Sequence, residues 1–181
     1  MTTNLITSSK NINLHLVEVE DAEFIVNLRL KKGQFLSKTD SDVEKQIEWI
    51  KEYKNREKFK EEYYFIIEDK NFNKLGTIRI YNINYEEKLF TFGSFIVNNH
   101  PNNKYIALES ITAIFDFAFN ILQLEQCYFD CRKNNKKAND FYIRYQAEII
   151  KENESDYFYQ YNKETFLKNI SNYKLIYDPI S

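Results

Sequence analysis

Glycine is scarce in this chain: Gly33, Gly76 and Gly93 are the only three among 181 residues. Wherever the backbone needs left-handed geometry or close approach, one of these three or a substitute must serve. Cysteine is equally rare. Cys127 and Cys131 stand four apart on one face of a strand-like stretch, with no His at metal spacing, so they read as small reduced core residues and no metal is expected. A positive excess is also missing. A net charge of -2 and a pI near 5.8 argue against general nucleic-acid binding, which calls for a basic face. No apolar run of about 18 residues and no signal peptide is present, so the expectation is a cytoplasmic protein without a membrane partner. Nor is there an internal repeat, a low-complexity linker or a domain boundary. A single domain over residues 1–181 is expected.

What the chain does have is apolar bulk, 43%, with 17% aromatic residues, mostly Tyr and Phe, which predicts a ring-rich core. After a short tail, Ile12, Leu14 and Leu16 alternate with Asn13 and His15: a strand with one buried face. Asp21 is placed to cap a helix bearing Phe24, Ile25 and Leu28. Ser41-x-x-Glu44 reads as the capping box of a second helix, with Val43, Ile47 and Ile50 on one face. Residues 62–68 and 75–83 form a predicted hairpin. Residues 90–97 are apolar on both faces, as in a strand buried on both sides. From Ile106 the apolar spacing becomes three and four, through Ser110, Ala113 and Phe117, which predicts a helix. A strand at 125–132, a short helix at 134–145, a second antiparallel hairpin and a closing helix with Phe166, Leu167, Ile170 and Tyr173 complete the chain. The order is βααβββαβαββα, an α/β fold.

Two stretches carry chemistry. Between the strand 90–97 and the helix at Ile106 lies a polar loop of two Asn pairs, His100-Pro101 and Lys104. A strand, a short loop and a helix N-terminus with free N–H groups make an anion site. Further on stands Asn135-x-x-Ala138-x-x-x-Tyr142. Together these blocks resemble the GCN5-related N-acetyltransferase (GNAT) superfamily, over about residues 11 to 161. The resemblance implies a central mixed sheet of about seven strands, helices on both faces, and a splay between two parallel strands, here 90–97 and 125–132. It implies acyl-coenzyme A as co-substrate in that gap, with pantetheine amides on Phe95, Ile96 and Val97 as though they were an added strand. The pyrophosphate would lie over Asn102, Asn103, Lys104, Tyr105, Ile106 and Ala107, with Asn135 and Ala138 on the coenzyme side. The superfamily loop is written Arg/Gln-x-x-Gly-x-Gly/Ala, and both glycines are absent here. Asn103 takes the first glycine position, and Asn is the best non-glycine residue for left-handed geometry. Tyr105 takes the second and must point away. By the same resemblance Tyr142 protonates the departing thiolate, and Asn135 either bonds the coenzyme or caps its helix. The general base is not in its usual place: related enzymes of the ribosomal-protein acetyltransferase type carry Glu where Thr91 stands. Glu109, His100 and Asp130 are candidates by residue type alone.

The texture of the chain is similar to acyltransferases of surface-polysaccharide synthesis. These place acetyl or 3-hydroxybutanoyl groups on nucleotide-linked amino sugars such as a dTDP-3-amino-3,6-dideoxyhexose. The partner so implied is a small-molecule amine, with Arg29, Lys31, Lys32 and Lys38 as cations for its pyrophosphate. Two other readings stand beside it: an acetyltransferase for a protein N-terminus or a polyamine, and a GNAT-like module that binds coenzyme A without catalysis. A homodimer is left open.

Overall fold

Strand segments with apolar residues at period two alternate with segments of helical spacing and build one sheet between two helical layers. The structure is a computed structural model and describes residues 5–32, 34–35, 41–98, 105–173 and 177. Its strands are β1 (Leu5–Ser8), β2 (Ile12–Leu16), β3 (Tyr63–Asp69), β4 (Lys74–Asn84), β5 (Leu89–Val97), β6 (Gln126–Arg132), β7 (Glu148–Glu152) and β8 (Asp156–Asn162). The helices are α1 (Ala22–Lys32), α2 (Val43–Lys58), α3 (Ile106–Asp116), α4 (Lys136–Arg144) and α5 (Lys163–Asn169). The eight strands form one mixed sheet in the order β1-β2-β3-β4-β5-β6-β8-β7, and only β5 and β6 run parallel. The expected α/β architecture is therefore present, with one strand more than about seven.

Two cores lie on opposite faces. Against α3, α4 and α5 the sheet buries Phe65, Ile78, Phe90, Phe92, Phe129 and Tyr161, packed on Ile114, Phe115, Tyr145 and Phe166. Against α1 and α2 it buries Tyr64 and Ile66, packed on Ala22, Ile25, Ile50 and Tyr53. The core is ring-rich as predicted: Phe115 stacks on Phe119 at 5.6 Å and on Tyr161 at 4.8 Å between ring centres.

Five sequence expectations are corrected. The tail contains β1, which pairs with β2 through Thr7↔Leu14 and Ser8↔Asn13. Strand β2 is buried on both faces, because its polar residues find partners inside: Asn13 Oδ1 accepts from Ser8 Oγ at 2.9 Å and Lys70 Nζ at 3.0 Å. His15 lies between Asp21 at 3.6 Å and Glu68 at 3.3 Å. Helix α2 is capped by Asp42, whose carboxylate accepts from the amides of Glu44 at 3.0 Å and Lys45 at 3.4 Å. Ser41 stands one residue too early for that bond. Asp21 does not cap α1; it ends a single 3-10 turn, Val19–Asp21, and accepts from the Glu18 amide at 2.8 Å. Finally, before its bulge β5 is buried on its α3 side only, through Phe90 and Phe92, while Leu89, Thr91 and Gly93 on the other side are half-buried.

Candidate active site

The site begins where β5 and β6 part. They run nine and seven residues, yet pair only at Leu89↔Gln126 and Phe90↔Cys127. The cause is that each strand follows a different neighbour. Strand β6 is held along its far edge by β8 from Gln126↔Asn162 to Arg132↔Asp156. Strand β5 follows β4 through a bulge: Arg79 faces Gly93 and Thr77 faces Ile96, so β5 carries one extra residue. Ser94 takes the left-handed φ of +48° there, and Thr77 Oγ1 donates to its carbonyl at 2.8 Å. A bulge bends its strand and sharpens the twist, which carries the end of β5 away from β6. Beyond Phe90, the β5 backbone on the β6 side is left without a ladder partner, and such groups require one. An extended chain bearing amides fits that edge as an added strand, which is the requirement acyl-coenzyme A would place on it. Phe95, Ile96 and Val97 lie on this stretch, past the bulge.

Tyr142 stands at the fork. Its ring meets Phe129 of β6 at 4.8 Å and Phe92 of β5 at 5.8 Å, and these two rings meet each other at 4.5 Å. Among the described residues its hydroxyl has no hydrogen-bond partner. Burial above all pushes the phenol well above its ordinary pKa, so it keeps its proton at neutral pH. Asn135 Oδ1 caps α4, accepting from the Ala138 amide at 3.3 Å. Asn139 was not singled out from the sequence and anchors the helix. It is buried, donates to the Arg132 carbonyl at 2.8 Å and the Asn135 carbonyl at 3.0 Å, and accepts from the Tyr159 hydroxyl at 2.7 Å. This fixes α4 against the end of β6, three residues before Tyr142. The available signal was an Asn on the apolar face of a short helix. Cys131, also at the fork, is pushed up to about 11 by burial, so it is a thiol and not a nucleophile at neutral pH.

At the other end of the gap α3 begins with no side-chain cap, behind Tyr105, which is 47% exposed. Ile106 is buried and Ala107 half-buried, and their amides belong to the uncapped first turn. Asn102, Asn103, Lys104, His100 and Lys38 lie outside the described residues. Of the remaining cations, Lys31 and Lys32 are exposed at the end of α1, whereas Arg29 is half-buried beside Tyr64. Its charge and hydrogen bond oppose the upward shift that burial imposes on that phenol. Glu109 is fully buried and accepts from the Asn11 amide at 2.8 Å and Asn11 Nδ2 at 2.9 Å. That carboxylate ties α3 to the β1–β2 turn. Asp130 projects from the open face of β6.

A family model described as "Acetyltransferase (GNAT) domain" matches residues 11–146. Among solved structures, apo FdhC, a nucleotide-linked sugar GNAT, is similar at 36% identity and a TM-score of 0.86, over 98% of this chain and 100% of that one. The spermidine/spermine N-acetyltransferase SpeG from Vibrio cholerae is similar at 21% identity and a TM-score of 0.74, over 88% and 98% of the two chains. The ribosomal-protein-S5-alanine acetyltransferase from Vibrio fischeri gives 16% and 0.75, over 87% and 98%. At such identities the last two share the fold. No curated protein matches the chain.

Proposed function

The chain belongs to the GNAT acetyltransferase family, and from that premise we propose that it is an acyl-coenzyme A-dependent N-acyltransferase acting on a nucleotide-linked amino sugar. The observation that carries the choice of acceptor is the 36% identity with a nucleotide-linked sugar GNAT over essentially the whole of both chains. The polyamine and ribosomal-protein enzymes are similar only at the level of the fold.

In this reading the donor's pantetheine arm runs along the free edge of β5 at Phe95, Ile96 and Val97. Its pyrophosphate lies over the first turn of α3 at Tyr105, Ile106 and Ala107, with the preceding Asn102, Asn103 and Lys104. Asn135 and Ala138 shape the coenzyme side from the start of α4, where the capping bond already employs Asn135 Oδ1. The thioester supplies the acyl group. Tyr142, wedged between Phe92 and Phe129, donates its proton to the sulfur as the carbon–sulfur bond breaks. Arg29 and Lys32 of α1, together with Lys38, serve the sugar nucleotide's pyrophosphate. The reaction is cytoplasmic and needs no metal.

The test is a mass-spectrometric screen of acetyl- and 3-hydroxybutanoyl-coenzyme A against a panel of nucleotide-linked amino sugars, spermidine and a peptide amine. Acylation of an amino sugar at a kcat/KM at least ten times that for the other amines is the expected result. A preference for spermidine or the peptide would overturn the acceptor assignment and leave the donor assignment standing.

A further inference from the structure

Strand β6 turns four side chains away from the α3 side: Gln126, Tyr128, Asp130 and Arg132. Three of them are occupied. The Tyr128 hydroxyl donates to Gln126 Oε1 at 2.5 Å, Gln160 Nε2 donates to the same oxygen at 3.1 Å, and Arg132 meets Asp156 at 3.2 Å. Among the described residues the Asp130 carboxylate has neither a hydrogen bond nor an ion pair. The ring contact at the fork locates it. Beyond the Leu89↔Gln126 and Phe90↔Cys127 rungs the strands part, but the Phe92 and Phe129 rings still meet at 4.5 Å on the α3 side. Gly93 and Asp130 are the next residues of the two strands, turned to the opposite face.

Gly93 is the floor beneath Tyr81. A Cβ there would lie 3.1 Å from the phenol's Oη and from a ring carbon, so the absence of a side chain lets the ring lie over the β5 backbone. The Arg79 guanidinium lies over the ring at 4.8 Å. Arg79 is itself fixed by Glu62 at 2.5 Å and by the Trp49 ring at 5.1 Å. The Tyr81 hydroxyl has no hydrogen-bond partner among the described residues. After burial, the charge of Asp130 acts on this phenol more strongly than any other group. A fixed phenol and a carboxylate thus flank the fork on the face opposite Tyr142, both with unused hydrogen-bonding capacity. An exposed Asp on a strand is ordinarily just solvated; the immobilised, partnerless phenol beside it sets this one apart.

We propose that Asp130 and Tyr81 form the acceptor side of the reaction centre. The carboxylate holds the substrate ammonium and takes its proton, and the phenol oxygen accepts a second hydrogen bond from the same nitrogen. This rests on the N-acyltransferase reading above. The amine then attacks the thioester carbonyl from the face opposite the group that protonates the sulfur. The protons balance. Of the three on the ammonium, one remains on the amide, one passes to solvent through Asp130, and the third replaces the proton that Tyr142 gives to the coenzyme thiol. The new bond is carbon–nitrogen and the broken one carbon–sulfur.

The experiment uses the full chain with acetyl-coenzyme A as donor, and two acceptors: a dTDP-linked 3-amino-3,6-dideoxyhexose, and water in its absence. Asp130→Asn should lower aminolysis by about a hundred-fold or more and slow hydrolysis as well, the range of a positioned proton acceptor. Coenzyme affinity by titration and the melting temperature should be unchanged. Asp130→Glu should recover part of the rate, and Tyr81→Phe should raise the KM for the amine. Aminolysis and hydrolysis both within two-fold of wild type in Asp130→Asn overturn the assignment, whatever the acceptor. No acylation of the sugar, together with slowed hydrolysis in Asp130→Asn, counts against the sugar-nucleotide reading and supports the proton acceptor.

Discussion

A phenol acts as an acid only if it keeps its proton until the moment of transfer, and at Tyr142 burial among Phe92, Phe129 and Tyr159 ensures this. Tyr142→Phe retains that packing and removes one hydroxyl. We expect kcat to fall by about ten- to ten-thousand-fold with little change in donor affinity, because the proton is needed only as sulfur departs. Tyr142→Ala should also cost a few kcal/mol of stability through the lost ring, on the order of 3 kcal/mol. Single-turnover rates and melting temperatures separate the two effects, and an unimpaired Phe variant would remove Tyr142 from the mechanism. Tyr142 was legible as a candidate for the fork, where it stands between Phe92 and Phe129, because its spacing from Asn135 and Ala138 is carried in a local motif. Asn139 was not, since an Asn on a short helix is usually solvated and its burial depends on Tyr159, twenty residues later. Asp130 was visible by type alone. What distinguishes it from Glu109 is the company each keeps: Glu109 is taken up by Asn11, nearly a hundred residues away.

Every strand and helix predicted from periodicity is present, because apolar period is a property of the segment itself. The closing helix is shorter than predicted, ending at Asn169, with Ile170–Tyr173 in a 3-10 turn. The bulge that opens the fork is different. Ser94 is neither Gly nor Asn, so nothing local announces its left-handed φ; it is imposed by the pairing of β5 with β4 and by Thr77. The same non-locality explains the missed β1, which is four residues long and finds its role only beside β2. Two glycines mark the β4–β5 contact and offer a graded test. A Cβ on Gly76 would lie 2.1 Å from the Ile96 carbonyl oxygen, where only backbone can yield. A Cβ on Gly93 would meet the Tyr81 ring at 3.1 Å, and a ring can tilt. Denaturant unfolding should show Gly93→Ala losing about 1–3 kcal/mol, the usual cost of overpacking, and Gly76→Ala losing more. A smaller loss at Gly76 would mean that β4 and β5 slide past one another more easily than the ladder implies.

At the scale of the molecule, the fork divides the sheet into β1 to β5 on one side and β6, β8 and β7 on the other, joined by two backbone rungs. The halves are held together mainly from the α3 side, where Phe92 meets Phe129 and Phe115 meets both Phe92 and Tyr161. The order of elements along the chain was legible from the sequence; the insertion of β8 between β6 and β7 was not, because it is a tertiary pairing. The parting of the parallel pair came only from the family resemblance, since two parting strands read like two paired ones. A donor laid into the fork adds the contacts that the sheet lacks there, and it binds the folded chain alone. Acetyl-coenzyme A at a hundred times its Kd should therefore stabilise the protein by about 2.7 kcal/mol. The gain should be localised. Hydrogen exchange should slow at the β5 amides from Thr91 to Val97 and at the first turn of α3, because these groups acquire partners. Strands β1 and β2, on the far side of the sheet, should exchange as before. Slowing confined to β1 and β2, with β5 unaffected, would place the donor elsewhere on the molecule and remove the fork as its site.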